Sequence, residues 1–341
     1  MPKVSVIIPA YNCEPYIAHA VQSVFDQDHR ELEIIVVDDG SSDNTVGALA
    51  SYQDRIQLIQ QKNAGAAAAR NAGLRAAQGE LLAFLDADDW WETSRLSTQL
   101  AALKLFPSAA MVFSDFAVAD QTGAILMPRG IRWKYGSVHD ASAAPWQKIF
   151  TESMPMQPHT NERAEQNINA YHGHILRWLF RGNFINTCSV LLRREVFERI
   201  GEFDQSLQTE EDYEYWLRIA RDSSIIYIDT PLVTFRKRPG QLTRSNQIER
   251  IVQNVLTVIE RTSKRVSTQL DPQEILSRVV QLHMRLGVIA LCSGHAAEAR
   301  SHLRKCLHHR PTRAMTSVFY VLTFLPVRMF AMAMWVREKF K

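Results

Sequence analysis

The sequence predicts an α/β fold, with a Rossmann-like, mainly parallel sheet flanked by helices and an all-helical appendage at its C-terminal end. Three observations predict it. Short β-branched runs alternate with helically spaced apolar residues through the first third, polar clusters fall at the ends of those runs, and the pattern after about residue 247 is helical alone. With 341 residues, 46% hydrophobic and 22% charged, the chain can bury a full core and is not of the disordered class.

In order, "KVSVIIP", "LEIIVVDD", "IQLIQQ", "ELLAFLD" and "AMVFSDF" each have strand length. Ile17, Val21, Val24 and Phe25 keep helical spacing, and "AGAAAARNAGLRAAQG" is rich in helix formers. Sheets of this βαβ kind bind ligands beyond the carboxyl ends of their strands. There, "VVDDGSSDNT" puts Asp38 and Asp39 after the second strand, "QKNAGAAAARN" opens a helix after the third, and "FLDADDWW" closes the fourth. From Met154 to Arg181 the polar, proline-bearing pattern predicts a loop or lid, holding His172 and His174, and a following helix. "CSVLLRREVFERIGEFD" resumes as strand and helix, "TEEDYEYWLRIA" as a helix with acids at its start, and the chain after "PLVTFRKRPGQLTRSN" is helical to about His309. The expected boundary lies between Thr243 and Gln247, giving domains at 1–243, 244–311 and 312–341.

Charge and cysteine usage bound the setting. From Ser301 onward eight Lys/Arg face Glu338 alone, a balance of +7 against +3 for the whole chain, so basicity belongs to the tail. No nucleic-acid partner is expected. Cys13, Cys188, Cys292 and Cys306 form no CxxC pair, which argues against a zinc knuckle or a disulfide framework and for a reducing, cytoplasmic setting. The apolar run in "MPKVSVIIPAYN" is too short for a secretion signal.

The carboxylates carry the chemistry. One aspartate before "WWETSRLSTQL" is explained by a helix cap. Three, Asp86, Asp88 and Asp89, repel one another unless a cation or donors compensate, and an Asp-x-Asp pair suits a divalent ion already bound to a diphosphate. Glu210, Glu211 and Asp212 are, on their own, first-turn acids favoured by the helix dipole. Trp90 and Trp91 could stack on a sugar, but tryptophans opening an amphipathic helix belong more often to a core.

Together, "VSVIIPAYN", "VVDDGSSDNT", "NAGAAAARNAGL", "FLDADDWW" and "EEDYEYWLR", in that order over about residues 3–240, closely resemble the glycosyltransferase family 2 pattern on a GT-A fold. The resemblance implies an inverting transfer of a sugar from a nucleotide diphosphate, with UDP the expected carrier, to a saccharide or lipid-linked acceptor, as in bacterial surface-polysaccharide assembly. Residue by residue, it implies that Pro9, Ala10, Tyr11 and Asp39 hold the nucleotide base while Asp38 supports that loop. Arg70 would lie against the nucleotide or diphosphate, with Gly65 allowing close packing at its helix start. Asp86 would meet the ribose and Asp88 a divalent metal, Mn2+ or Mg2+, with Asp89 capping the helix behind. Asp212 would be the general base and Glu211 an acceptor contact. Asn183, Asn186 and Thr187 would border the sugar or acceptor pocket, although turn formation also accounts for them. In "FRKRPGQLTR", Arg236 and Arg238 would approach the diphosphate, Arg238 standing where the family places a histidine. Either Asp88 and the phosphates hold the metal alone, Arg238 takes over charge neutralisation, or the segment is a solvated basic loop.

At the far end, Leu286, Gly287, Ala290, Ala299, Leu303 and Pro311 have spacings that resemble one tetratricopeptide repeat within 280–311, read as a helical hairpin or a partner-binding element. Met315 to Val336 is long enough to span a bilayer but holds Pro326 and Arg328, which leaves a span, a buried helix or an interfacial helix on an anionic membrane surface open, the last being favoured. The expected location is therefore cytoplasmic, peripheral to the inner face of the cell membrane. Two rival classes remain. A nucleotidyltransferase would need a basic Gly-rich triphosphate loop near the N-terminus, and a non-catalytic membrane-associated protein would have no use for Asp39, Asp88 and Asp212 together. A dinucleotide dehydrogenase is a weaker rival still, because no GxGxxG follows the first strand.

Overall fold

The computed structural model describes residues 2–131, 146–157, 168–238, 247–309, 317, 319–321 and 323–324. Most of the expected 312–341 helix, most of the expected boundary and positions 158–167 of the expected lid lie outside these residues. The chain divides into two compact units, Met1–Gln241 and Leu242–Lys341.

The first unit is built on one sheet. Its strands are β1 (Val4–Ala10), β2 (Leu32–Asp38), β3 (Gln57–Gln60), β4 (Leu81–Phe84), β5 (Trp90–Trp91), β6 (Met111–Ala119), β7 (Ile125–Met127), β8 (Glu152–Met156), β9 (Ile168–Gly173), β10 (Leu191–Arg193) and β11 (Ile225–Arg236). Helices α1 (Ile17–Phe25), α2 (Ala66–Ala76), α3 (Arg95–Leu105), α4 (Leu176–Arg181), α5 (Arg194–Ile200) and α6 (Glu211–Asp222) accompany it. The strand order is β3-β2-β1-β4-β10-β6-β11-β9-β8, with β5 on β11 and β7 on β6. Strands β3, β2, β1, β4, β6 and β11 all point one way, because β10 is antiparallel to both β4 and β6. Their carboxyl ends therefore share one edge, and the polar strand ends of the sequence meet there.

Burial on both faces explains why β1 reads as a continuous apolar run: Val4, Val6, Ile7 and Ile8 are fully buried. Helix α2 lies directly on β1, since a Cβ at Gly73 would come within 2.4 Å of the Ile7 side chain. Strand β11 needs a different explanation. Its register against β6 shifts on either side of Pro231, which has no N–H for the ladder. Before the shift Ile225–Ile228 pair with β9, and after it Val233 and Thr234 pair with Trp91 and Trp90. The strand thus changes neighbour midway and delivers Arg236 to the end of β4.

Three expectations are corrected here. Glu152–Met156, which runs into the segment expected as loop or lid, and Ile168–Gly173, which lies within it, are antiparallel strands, and His172 sits in the second of them. Trp90 and Trp91 form strand β5 rather than opening a helix, because the edge of β11 offers them backbone partners. Asp89 does not cap α3; Ser94 occupies the cap position, without a side-chain bond.

The second unit holds α7 (Ile248–Arg265), α8 (Pro272–Cys292) and α9 (Ala296–His309). Asp271 caps α8 by accepting from the Gln273 N–H at 2.8 Å, with Pro272 opening the helix. A Cβ at Gly287 would meet Leu303 at 2.8 Å, so α8 and α9 pack at glycine distance. Among the described residues α8 alone is long and apolar enough to cross a membrane. Burial of its Val280, Leu282, Leu286, Ala290 and Leu291 also accounts for that apolar character.

Candidate active site

The first wall is the segment after β1. Pro9 and Ala10 close the strand, Tyr11 is 48% exposed, and Asn12 adopts a left-handed backbone with φ of 49°. That conformation aims the Asn12 amide oxygen at the Ser42 N–H (2.8 Å), while the Asn12 N–H donates to the Ser41 hydroxyl (3.0 Å). The β1 and β2 ends are thereby tied together. Asp39 anchors the neighbouring loop: its carboxylate accepts from the Gln61 amide at 2.7 Å, the Ala64 N–H at 2.9 Å and the Gly65 N–H at 2.8 Å. Asp38, expected to support the loop, accepts from the Ser41 N–H at 3.3 Å, so the heavier support comes from Asp39. Gly65 is required by its φ of 90° rather than by close packing, since a Cβ there would meet nothing within 4 Å.

Arg70, on α2, is the centre of the site. One guanidinium nitrogen donates to Glu211 at 2.7 Å and another to Asp86 at 2.9 Å, with the arginine side chain only 7% exposed. Burial opposes its charge, but Asp86, Glu211 and Asp212 more than offset that, and its pKa is raised. Glu211 is the converse case. Burial pushes its carboxyl up, Arg70 pulls it down and the charge of Asp212 pushes it up again, for a net rise.

The turn after β4 is held from three sides. The Asp86 N–H donates to the Cys188 sulfur, and the Cys188 thiol donates to Asp89, both at 3.2 Å. Asp89 also accepts from the Arg236 N–H at 2.9 Å; burial, then the charges of Asp88 and Asp86, raise its pKa well above the ordinary range. Arg236 is itself buried, donating through Nε to the Asp88 carbonyl at 3.0 Å and lying 4.5 Å over the Trp90 ring. Arg238 donates through Nε to the Asp88 carboxylate at 2.5 Å.

The opposite wall is the start of α6. Glu210 precedes it with φ of 66°, a strained conformation for a non-glycine residue. Asp212 accepts from the Thr187 hydroxyl at 2.9 Å and from the Tyr213 N–H at 2.6 Å. Thr187 opens a short 3-10 turn capped by Asn186, whose side chain accepts from the Cys188 N–H at 2.9 Å. Asn183 accepts from the Ile185 N–H at 3.0 Å, a turn-forming bond. Arg70 thus links the β4 carboxylates to the α6 carboxylates. Cys188 and the arginine pairing of Asp88 are not foreseen from the sequence; only the order of motifs hints that Thr187 and Asp212 meet.

One ligand atom each from Asp86, Asp89 and Cys188 lies within 4.8 Å of the others, an arrangement able to hold a cation. Its carboxylate oxygens suit Mg2+ or Mn2+ and its cysteine sulfur does not, and Asp88, the expected metal ligand, is not a member of it but meets Arg238. In the second unit Glu249, His295 and Glu298 make a second such group among the described residues.

This architecture has relatives. The glycosyl transferase family 2 model matches residues 5–201, and the chain belongs to that family. An uncharacterized glycosyltransferase of Rickettsia typhi is 29% identical over 73% of this chain and 69% of its own length, and one of Rickettsia felis is 29% identical over 73% of this chain but 36% of its own. TuaG of Bacillus subtilis, a glycosyltransferase named for teichuronic acid biosynthesis, is 43% identical over 36% of this chain and 50% of its own length. Among solved structures, Staphylococcus aureus TarS 1–349 in complex with UDP-GlcNAc superposes with a TM-score of 0.58 at 18% identity, covering 90% of this chain and 81% of that one. The mannosyltransferase PcManGT of Pyrobaculum calidifontis, in complex with GDP-Man and Mn2+, gives 0.54 at 20% identity over 94% and 86%. The GT-A fold is shared.

Proposed function

We propose that this glycosyltransferase moves a sugar, with inversion, from a UDP-sugar to a hydroxyl of a saccharide or lipid-linked acceptor in bacterial surface-polysaccharide synthesis. One observation carries the reading: Arg70 joins Asp86, at the edge where nucleotides bind in α/β sheets, to Glu211, whose neighbour Asp212 opens the facing helix. Both partners of a displacement then fall within one side chain's reach. The bound nucleotide sugars of TarS and PcManGT and the teichuronic acid naming of TuaG support donor and pathway class.

In this reading Pro9, Ala10, Tyr11 and Asp39 form the base end of the donor site and Asp86 takes the ribose. Asp88 would hold a divalent cation, which when bound neutralises the diphosphate leaving group. Arg70, Arg236 and Arg238 add positive charge that does not titrate, and Asn183 borders the sugar. Asp212, oriented by Thr187 and the Tyr213 N–H, accepts the proton of the acceptor hydroxyl as that oxygen attacks the anomeric carbon from the face opposite the diphosphate. Glu211 keeps Arg70 in place and borders the acceptor. The basic C-terminal segment would bring the enzyme to the anionic inner face of the membrane, where lipid-linked acceptors lie.

Asp212→Asn tests the mechanism. Transfer, followed as UDP release with acceptor, should fall by about 10²–10⁴-fold with UDP affinity kept. Undiminished transfer would remove Asp212 from the mechanism.

A further inference from the structure

We propose that Arg238 gates the cation site, so that divalent metal and nucleotide diphosphate bind as a coupled pair rather than independently. The inference rests on the donor site described above. The Arg238 and Asp88 side chains are 19% and 12% exposed, and Nε meets Oδ2 at 2.5 Å. A guanidinium does not lose its proton under any physiological condition. A cation ligated by the same carboxylate at roughly 2.0–2.6 Å would stand within about 5 Å of that fixed positive charge, where little water screens the repulsion.

Among the described residues Arg236 and Arg238 are held by different partners. Arg236 is fixed through its backbone N–H to Asp89, its Nε to the Asp88 carbonyl, and its terminal nitrogens to the Gln121 carbonyl and to His19 Nδ1, at 2.9–3.1 Å. Besides Asp88, Arg238 approaches a second set of neighbours among the described residues. Its Nη2 lies 3.6 Å from the Cys13 sulfur and its guanidinium 5.5 Å from the Tyr16 ring, both on the segment that follows β1. Burial pushes the Cys13 thiol up to about 11, so this sulfur is not itself a competing anion. A diphosphate entering between the β1 and β4 ends offers Arg238 several anionic oxygens in exchange for one. The guanidinium then turns to the phosphate, and Asp88 becomes a cation ligand beside the same phosphate.

The test is titration of Mn2+ followed by electron paramagnetic resonance of the free ion, with and without UDP, on the full chain as wild type, R238K, R238Q and R238Q/D88N. Thermal unfolding checks each variant for folding. Wild type and R238K should bind Mn2+ weakly alone and at least about tenfold more tightly with UDP, and by reciprocity Mn2+ should raise UDP affinity by the same factor. R238Q should bind Mn2+ alone about tenfold more tightly than wild type, with a smaller gain from UDP, and R238Q/D88N should lose that tightening. R238Q binding Mn2+ no better than wild type overturns the gate, as does tightening that survives D88N. If R238Q gains Mn2+ affinity through Asp88 while no form binds UDP, the gate stands and the donor reading falls.

Discussion

Arg70 and Arg95 are both buried arginines of the first unit, and their surroundings separate a cation that organises a site from one that only packs. Arg95, at the start of α3, stacks 3.6 Å over Trp91 and donates one bond to the Val190 carbonyl at 2.9 Å, with no carboxylate in contact among the described residues. Its Nε and Nη1 have no hydrogen-bond partner there, and burial draws its pKa down. Arg70 is as deeply placed, yet Asp86 and Glu211 grip it and its pKa rises. Burial therefore does not separate the two arginines; paired carboxylates from two separate elements do. Such a cluster already holds opposite charges in place, and a charged ligand can exchange partners within it.

Arg70→Met should have the largest effect. Removing one partner of a buried pair leaves Glu211 uncompensated, so urea unfolding should show a loss of about 3–5 kcal/mol, accompanied by loss of UDP binding. The double variant R70M/E211Q should regain about 1–3 kcal/mol of that without regaining UDP affinity, which separates stability from function. Arg95→Met, by contrast, trades a stacked guanidinium for an apolar chain of similar length. Its unfolding free energy should change by less than about 2 kcal/mol, with UDP affinity unchanged.

The smallest effect asks the same question of an anion. Asp115 is buried and accepts from the Phe116, Gly130 and Ile131 N–H groups, with Arg129 at 3.8 Å. Burial raises its pKa; the bonds from Ile131 and Phe116 and the charge of Arg129 pull it back, and Asp229 pushes it up. The native state then holds this proton to higher pH than the unfolded chain does. Its contribution to stability is present at low pH and declines as pH climbs from the ordinary 3.8 through the raised native value. Thermal unfolding of Asp115→Asn should lack that part of the decline.

What was legible in the sequence follows the range of the interactions. β1, β2 and β4 announce themselves because burial on both faces demands uninterrupted apolar runs, and the carboxylates after them mark the edge. β5 and β11 do not. Trp90 and Trp91 become a strand only because Val233 and Thr234, far along the chain, pair with them, and Pro231 breaks the pattern of β11 at the point where it changes neighbour. β8 holds Pro155 and is exposed along most of its length, so nothing local distinguishes it from a loop. In the site, the family motifs carried Arg70, Asp86, Glu211 and Asp212. They could not supply Cys188, a single thiol that is joined to Asp86 and Asp89 only by folding, nor the pairing of Arg238 with Asp88.

The most direct measurement is calorimetric titration of UDP, with Mn2+ present, into wild type, R95M and R70M. Wild type and R95M should bind equally and R70M with an affinity lower by about tenfold or more, since Arg70, unlike Arg95, would share its carboxylates with the donor site. Equal affinity in wild type and folded R70M would contradict it and place the nucleotide away from the Arg70 cluster.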